Sequence, residues 1–88
     1  MPDFSFDAYI FKEGDTFVAH APKLDVSTCG ATDEEARRNI REAVHAFLEA
    51  ARRMGTLREI LEESGYRLVA DEWRGPEFVS VDRLITSL

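Results

Sequence analysis

Four acidic residues are candidates for phosphodiester chemistry: Asp7 near the start of the chain, Glu35 or Glu42 in its middle, and Asp71 near its end. Two-metal hydrolysis needs several carboxylates projecting into one cleft, and these positions define a metal-dependent nuclease reading. Seventeen acids in 88 residues supply such triples by number alone. The histidines, His20 and His45, have no CxxC, HxxxH or HExxH neighbours, so no metal-ligand spacing is present. Both read as surface or internally satisfied residues. Cys29 lacks an adjacent base. It lies three residues before a helix start, which favours thiolate character, but its simpler reading is a small residue at a strand end. Gly14 and Gly30 belong to no phosphate-cradling motif. The sequence thus assigns no catalytic residue, no metal ligand and no cofactor.

Arg37, Arg38, Arg41, Arg52 and Arg53 crowd one segment and resemble a nucleic-acid-binding stripe. Acids are interleaved with them, and Asp33–Arg37, Glu34–Arg38 and Glu49–Arg53 all stand at i, i+4. Such pairs stabilise a helix by a few tenths of a kcal/mol each, so a self-neutralised, solvated face is predicted.

The elements that must position these residues follow from periodicity. In residues 4–11, Phe4, Phe6, Ala8 and Ile10 alternate with Ser5, Asp7, Tyr9 and Phe11, the pattern of a half-buried strand. Lys12-Glu13-Gly14-Asp15 supplies a hairpin turn. A second strand over residues 16–21 then places Phe17, Ala19 and Ala21 on one face and turns His20 to the other. Pro22 ends it, because proline donates no ladder hydrogen bond. Residues 24–29 form a third extended piece, broken by Gly30.

Thr32-Asp33-Glu34-Glu35 is a capping box, with the Thr32 hydroxyl predicted to accept from the Glu35 N–H and the Glu35 carboxylate from the Thr32 N–H. Behind it, Ala36, Ile40, Ala43, Val44, Phe47, Leu48 and Ala51 make one apolar stripe of about four turns. Gly55 is a natural helix stop. A second box, Thr56-Leu57-Arg58-Glu59, opens a short helix that ends at Gly65. Residues 66–70 read as a fourth strand, Trp73-Arg74-Gly75-Pro76 as a turn, and residues 78–81 as an edge strand or an arm. The order is β-β-β-α-α-β in the α+β class, a small antiparallel sheet packed on one long helix. The domain is assigned to residues 1–70 and a C-terminal extension to residues 71–88.

Composition agrees with a small globular unit: 44% hydrophobic and 32% charged residues. The net charge of −6 disfavours a nucleic-acid backbone and suits a basic partner or plain solubility. No apolar run is long enough for a membrane span, and the first residues lack the basic and apolar regions of a secretory leader. A single cysteine makes no internal disulfide, so a cytoplasmic location is expected. Trp73, Phe78, Val79, Val81, Leu84 and Ile85 follow the last well-defined element with little domain left to bury them. They are candidates for an oligomer interface, predicting a homo-oligomer, a dimer or a dimer of dimers.

Residues 14–43 resemble the HicB antitoxin family and its short relatives. They carry a Gly14-Asp15 hairpin turn and an A-x-x-P-x-L stretch from Ala19 to Leu24. Gly30-Ala31-Thr32 follows, then E-E-A-x-x-N-I-x-E-A from Glu34 to Ala43. The likeness extends over roughly residues 5–66. It implies a degenerate ribonuclease-H-like fold without a catalytic set. It also implies an antitoxin that binds a small basic HicA-like mRNA interferase and occludes its RNA-cleaving surface. Three features depart from the family. Asp25-Val26 follows Leu24 where Pro-Gly-Cys is frequent, and Cys29 stands where a polar residue is usual. The 22 residues after Tyr66 are too few for a helix-turn-helix or ribbon-helix-helix domain, so direct operator binding is not expected. The two alternatives are the metal-dependent nuclease and an orphan oligomeric regulator with no toxin partner.

Overall fold

A computed structural model describes residues 4–88, so the reading of the chain's first residues as leaderless lies partly outside it. Its architecture is α+β: a three-stranded antiparallel sheet, β1 (Tyr9–Glu13), β2 (Thr16–Ala21) and β3 (Val26–Gly30), followed by α1 (Asp33–Met54), α2 (Leu57–Glu63) and a separate two-stranded ribbon, β4 (Arg67–Val69) and β5 (Glu72–Arg74). The sheet order is β1-β2-β3. Glu13 faces Thr16, so Gly14-Asp15 is a two-residue hairpin loop, with Gly14 at φ 60°.

Residues 4–8 keep the alternating exposure of a strand but join no ladder. The β1–β2 register would carry Asp7 opposite Pro22, where no N–H is available, and pairing ends at Tyr9–His20. The third strand is likewise shorter at its start than predicted, because Asp25 turns at φ 55° and Leu24 is buried within that turn. Gly30 does not break β3. It is the last residue of that strand and pairs with Phe17.

The long helix forms as its caps dictate. Glu35 N–H donates to Thr32 Oγ1 at 3.0 Å. The return bond differs from expectation: the Glu35 carboxylate accepts from Ala31 N–H at 3.2 Å, one residue before the predicted donor. At the other end Gly55, at φ 75°, donates to Arg52 O while Thr56 N–H donates to Ala51 O, the paired bonds of a Schellman motif. That motif recruits Thr56, whose hydroxyl donates to Ala51 O and makes no cap bond to α2, so the second capping box is not formed.

Packing joins the α1 stripe to the small residues of the sheet. Ala36, Ile40, Val44 and Leu48 are buried with Ala19, Ala21 and Leu24, and Leu61 and Tyr66 complete the core. Gly30 allows the close approach: a Cβ there would stand 2.8 Å from the Ala36 nitrogen. α1 lies over β3 and β2 and reaches β1 only at its margin.

The C-terminal third departs from the prediction. The fourth strand pairs with β5 rather than remaining the last strand, giving a βββααββ order. Trp73 and Arg74 lie in β5, not in a turn. The reversal falls earlier, at Ala70-Asp71, where both residues have positive φ (50° and 66°), as a type I′ turn requires. This happens because Trp73 packs against the core and Gly75 lies on the Tyr66 ring, which holds the returning strand in place. The predicted boundary between residues 70 and 71 falls at the tip of this hairpin, and regular structure continues to Arg74. Residues 75–88, including the segment read as an edge strand at 78–81, form no helix or strand.

A Cβ on Gly75 would approach Tyr66 Cε2 to 2.7 Å, so we expect Gly75→Ala to lower unfolding stability by about 1–3 kcal/mol in urea titration. Replacing Ala70-Asp71 by Asn-Gly relieves left-handed strain at an alanine and should raise stability by about 0.5–1 kcal/mol in the same assay.

Candidate functional site: the uncovered face of the sheet

Both helices lie on one side of the three-stranded sheet, and among the described residues no helix or strand covers its other face, which residues 76–80 of the irregular C-terminal segment border at one corner. Residues paired across an antiparallel ladder share a face, so two rows can be read from the register. Tyr9, His20 and Ser27 form one row. Phe11, Val18 and Cys29 form the next. Tyr9 and Phe11 are exposed, and Val18 and His20 are half-buried. The centre of the face is therefore apolar and aromatic. Glu13 lies on the same face at the end of β1, with Asp15 in the adjoining turn and Asp25 in the β2–β3 turn, all three exposed. At the opposite corner from Glu13, Asp7 and Tyr9 line a surface depression with Pro22, Lys23 and residues 76–80 of the C-terminal segment, so that corner is partly occupied by the chain's own tail. An apolar centre with a largely carboxylate rim is the anatomy of a protein-binding patch.

His20 points to this face, as its alternation predicts, and its Nδ1 lies 2.6 Å from Ser27 Oγ. Cys29 is free and exposed on the outer row. Its carbonyl accepts from Asn39 Nδ2 at 2.9 Å, a bond that ties α1 to β3. The sequence reading places Asn39 in the E-E-A-x-x-N-I-x-E-A stretch but assigns it no contact, because its target lies ten residues back and is set by the docking of the helix. The apolar character of the outer face does carry a sequence signal: two aromatic residues on the otherwise polar side of the first alternating run.

The structure does not gather the candidate carboxylates. Asp7 precedes β1, Glu35 is hydrogen-bonded at the start of α1, Glu42 is exposed on that helix, and Asp71 sits at the tip of the β4–β5 hairpin. Among the described residues, no three His, Cys, Asp or Glu side chains stand together in an arrangement that could hold a metal ion. The arginine stripe is partly neutralised by its own helix. Arg37 donates to Asp33 at 2.7 Å and holds that carboxyl below the usual carboxylate range. Glu49 pairs with Arg52 rather than Arg53, at 3.1 Å, and is lowered by that bond. The Glu34–Arg38 pair is not formed among the described residues.

Of the six residues proposed for an oligomer interface, Trp73 is half-buried against the core of its own chain. Phe78, Val79, Val81, Leu84 and Ile85 are exposed along the irregular C-terminal segment.

Fold and surface together define a small α+β domain with one open sheet face. No protein-family model matches the chain, and neither a curated protein nor a solved structure matches it. No helix among the described residues is long and apolar enough to cross a membrane.

Tyr66 fixes residues 4–8 beside the sheet. Its hydroxyl donates to Ser5 O at 3.3 Å, and Phe4 packs on its ring at a centroid distance of 4.8 Å. Burial, and next the Asp7 carboxylate, push the phenol above its ordinary value. A pKa raised on folding stabilises the chain fully below the unfolded value, about 10, and that contribution is lost as pH rises through the folded value. We expect the stability of the unmodified chain to fall from about pH 10 upward, and Tyr66→Phe to lack that component in denaturant titrations across alkaline pH.

Proposed function

We propose that this chain is a non-catalytic binding module of the antitoxin type. It covers the RNA-cleaving surface of a small basic, HicA-like toxin with the open face of its sheet. The observation that carries the reading is the outer face itself: Tyr9, Phe11 and Val18 at its centre, with Asp7, Glu13, Asp15 and Asp25 around it, in a chain of net charge −6. A basic, RNA-binding partner is attracted by the carboxylates, which speed encounter and set orientation. The aromatic centre supplies the desolvated contact that gives affinity. The three-strand meander followed by a long helix supports a degenerate ribonuclease-H-like, HicB-like fold, and the resemblance over residues 14–43 supports the same reading. Blocking an RNA-cleaving surface requires only that the two proteins bury it between them, so no reactive group is needed on this chain.

The test is co-expression with a basic RNA-cleaving protein encoded beside this chain's gene. Growth should be restored, and the two proteins should co-purify. Phe11→Arg places a like charge in the contact without disturbing the core, since Phe11 is exposed. It should weaken the complex about tenfold or more in titration calorimetry and reduce rescue. A complex unaffected by Phe11→Arg would refute the proposed face. Metal-dependent RNA cleavage by the purified chain, abolished by Asp7→Asn, would refute the non-catalytic reading.

A further inference from the structure

We propose that the arm of residues 77–88 docks on a second copy of this chain. There, residues 78–81 add a strand to the free edge of β1, and the arm's apolar side chains fill the groove between β1 and the first half of α1. The acceptor groove lies on the inner side of β1, away from the outer face of the toxin reading, although the arm itself starts beside Asp7 and Tyr9 of that face; the proposal does not depend on that reading.

The groove exists because one helix covers three strands and sits toward β3. Residues on the inner side of β1 and just before it are left half-covered. Phe6, Ala8, Ile10 and Ile40 line a depression of about 340 Å³, with Arg37 and Arg41 at its rim. β1 has a ladder neighbour on one side only, whereas the other edge strand, β3, is tied to α1 through Asn39. An edge strand beside an apolar groove is the arrangement that accepts an added strand: its backbone supplies the ladder, and its pocket takes alternate side chains.

The arm has matching properties. Phe78 is 55% exposed, Val79 86%, Val81 67%, Leu84 86% and Ile85 97%. Together with Leu88 they present apolar surface on the order of 800 Å², what one partner contributes to a standard-size interface. Residues 78–81 are rich in strand-favouring side chains. Glu77 and Asp82 on the arm complement Arg41 on the groove's rim, where Arg37 is already paired with Asp33.

A second copy is the favoured occupant because only the start of the arm, residues 76–80, rests against its own chain, and the apolar side chains beyond it stay exposed. The radius of gyration is 14.8 Å, whereas a compact chain of this length has roughly 12 Å. Pro76 packs beside Gly65, and the arm then passes Asp7, Tyr9, Pro22 and Lys23, on the opposite side of β1 from the groove. Fully extended, twelve residues reach about 40 Å, enough to cross to a neighbouring molecule. A two-fold axis lets each copy donate its arm and receive the other's, closing both free edges.

The experiment keeps the full chain and replaces Phe78 with a photocrosslinking benzoylphenylalanine. After irradiation, a covalent species of twice the 10.0 kDa chain mass, with its crosslinks mapped to the groove residues Phe6, Ala8 or Ile10 or to residues 37–41, is the expected result. In parallel, Val79→Asp with Val81→Asp should weaken self-association about 30-fold or more by light scattering, with the circular dichroism of the domain unchanged. Crosslinks to the outer-face residues Phe11 or Val18, crosslinks within one chain, a 10.0 kDa species at every concentration, or a dimer that survives the aspartates would each overturn the proposal.

Discussion

The close seating of α1 on a sheet face made of very small residues governs this molecule. Ala19, Ala21 and Gly30 present almost no side chain, and Ala36 on the helix is itself fully buried. Backbones can therefore approach to a distance that larger residues would prevent, and Ile40, Val44 and Leu48 fill the space on either side. Helix dipole and capping favour the rod, but an isolated helix of this length is only marginally stable in water. Most of its stability comes from this contact.

From that seating follows an asymmetric domain. The small residues lie on β2 and β3, so the helix sits over them and leaves the inner side of β1 partly bare. α2 packs against α1 rather than filling the gap. Tyr66 and Trp73 then close the core from beyond the helices, with Phe4 brought onto the Tyr66 ring. What stays uncovered is most of the outer face of the sheet, the β1 margin and the later part of the C-terminal arm.

Those uncovered surfaces are where function is to be sought. The depressions beside β1 and beside α2 are open to solvent, and the candidate carboxylates are distributed along separate elements. A patch that combines exposed aromatic side chains with carboxylates at its margin supports recognition of another macromolecule, and the strong acidity of the chain supports a basic one. The arm and the β1 margin are further exposed surfaces, chemically distinct from the first because both are mainly apolar.

Local sequence determined the parts that depend on neighbours within about four residues. The Gly14-Asp15 hairpin, the Thr32 cap, the Gly55 stop and the apolar stripe of α1 are all legible there, because the side chains and backbone groups that decide them are adjacent along the chain. So was the identity of the two faces of the sheet, since alternation alone separates them. Tertiary contacts decided the rest. Thr56 serves the end of α1 instead of the start of α2. Residues 4–8 lose their ladder partner at Pro22, and the late hairpin turns at Ala70-Asp71 because Trp73 and the Tyr66–Gly75 contact fix the strands on either side. In each case groups distant in sequence compete for the same backbone. The winner is set by how much surface the whole chain buries, a quantity that no local window contains.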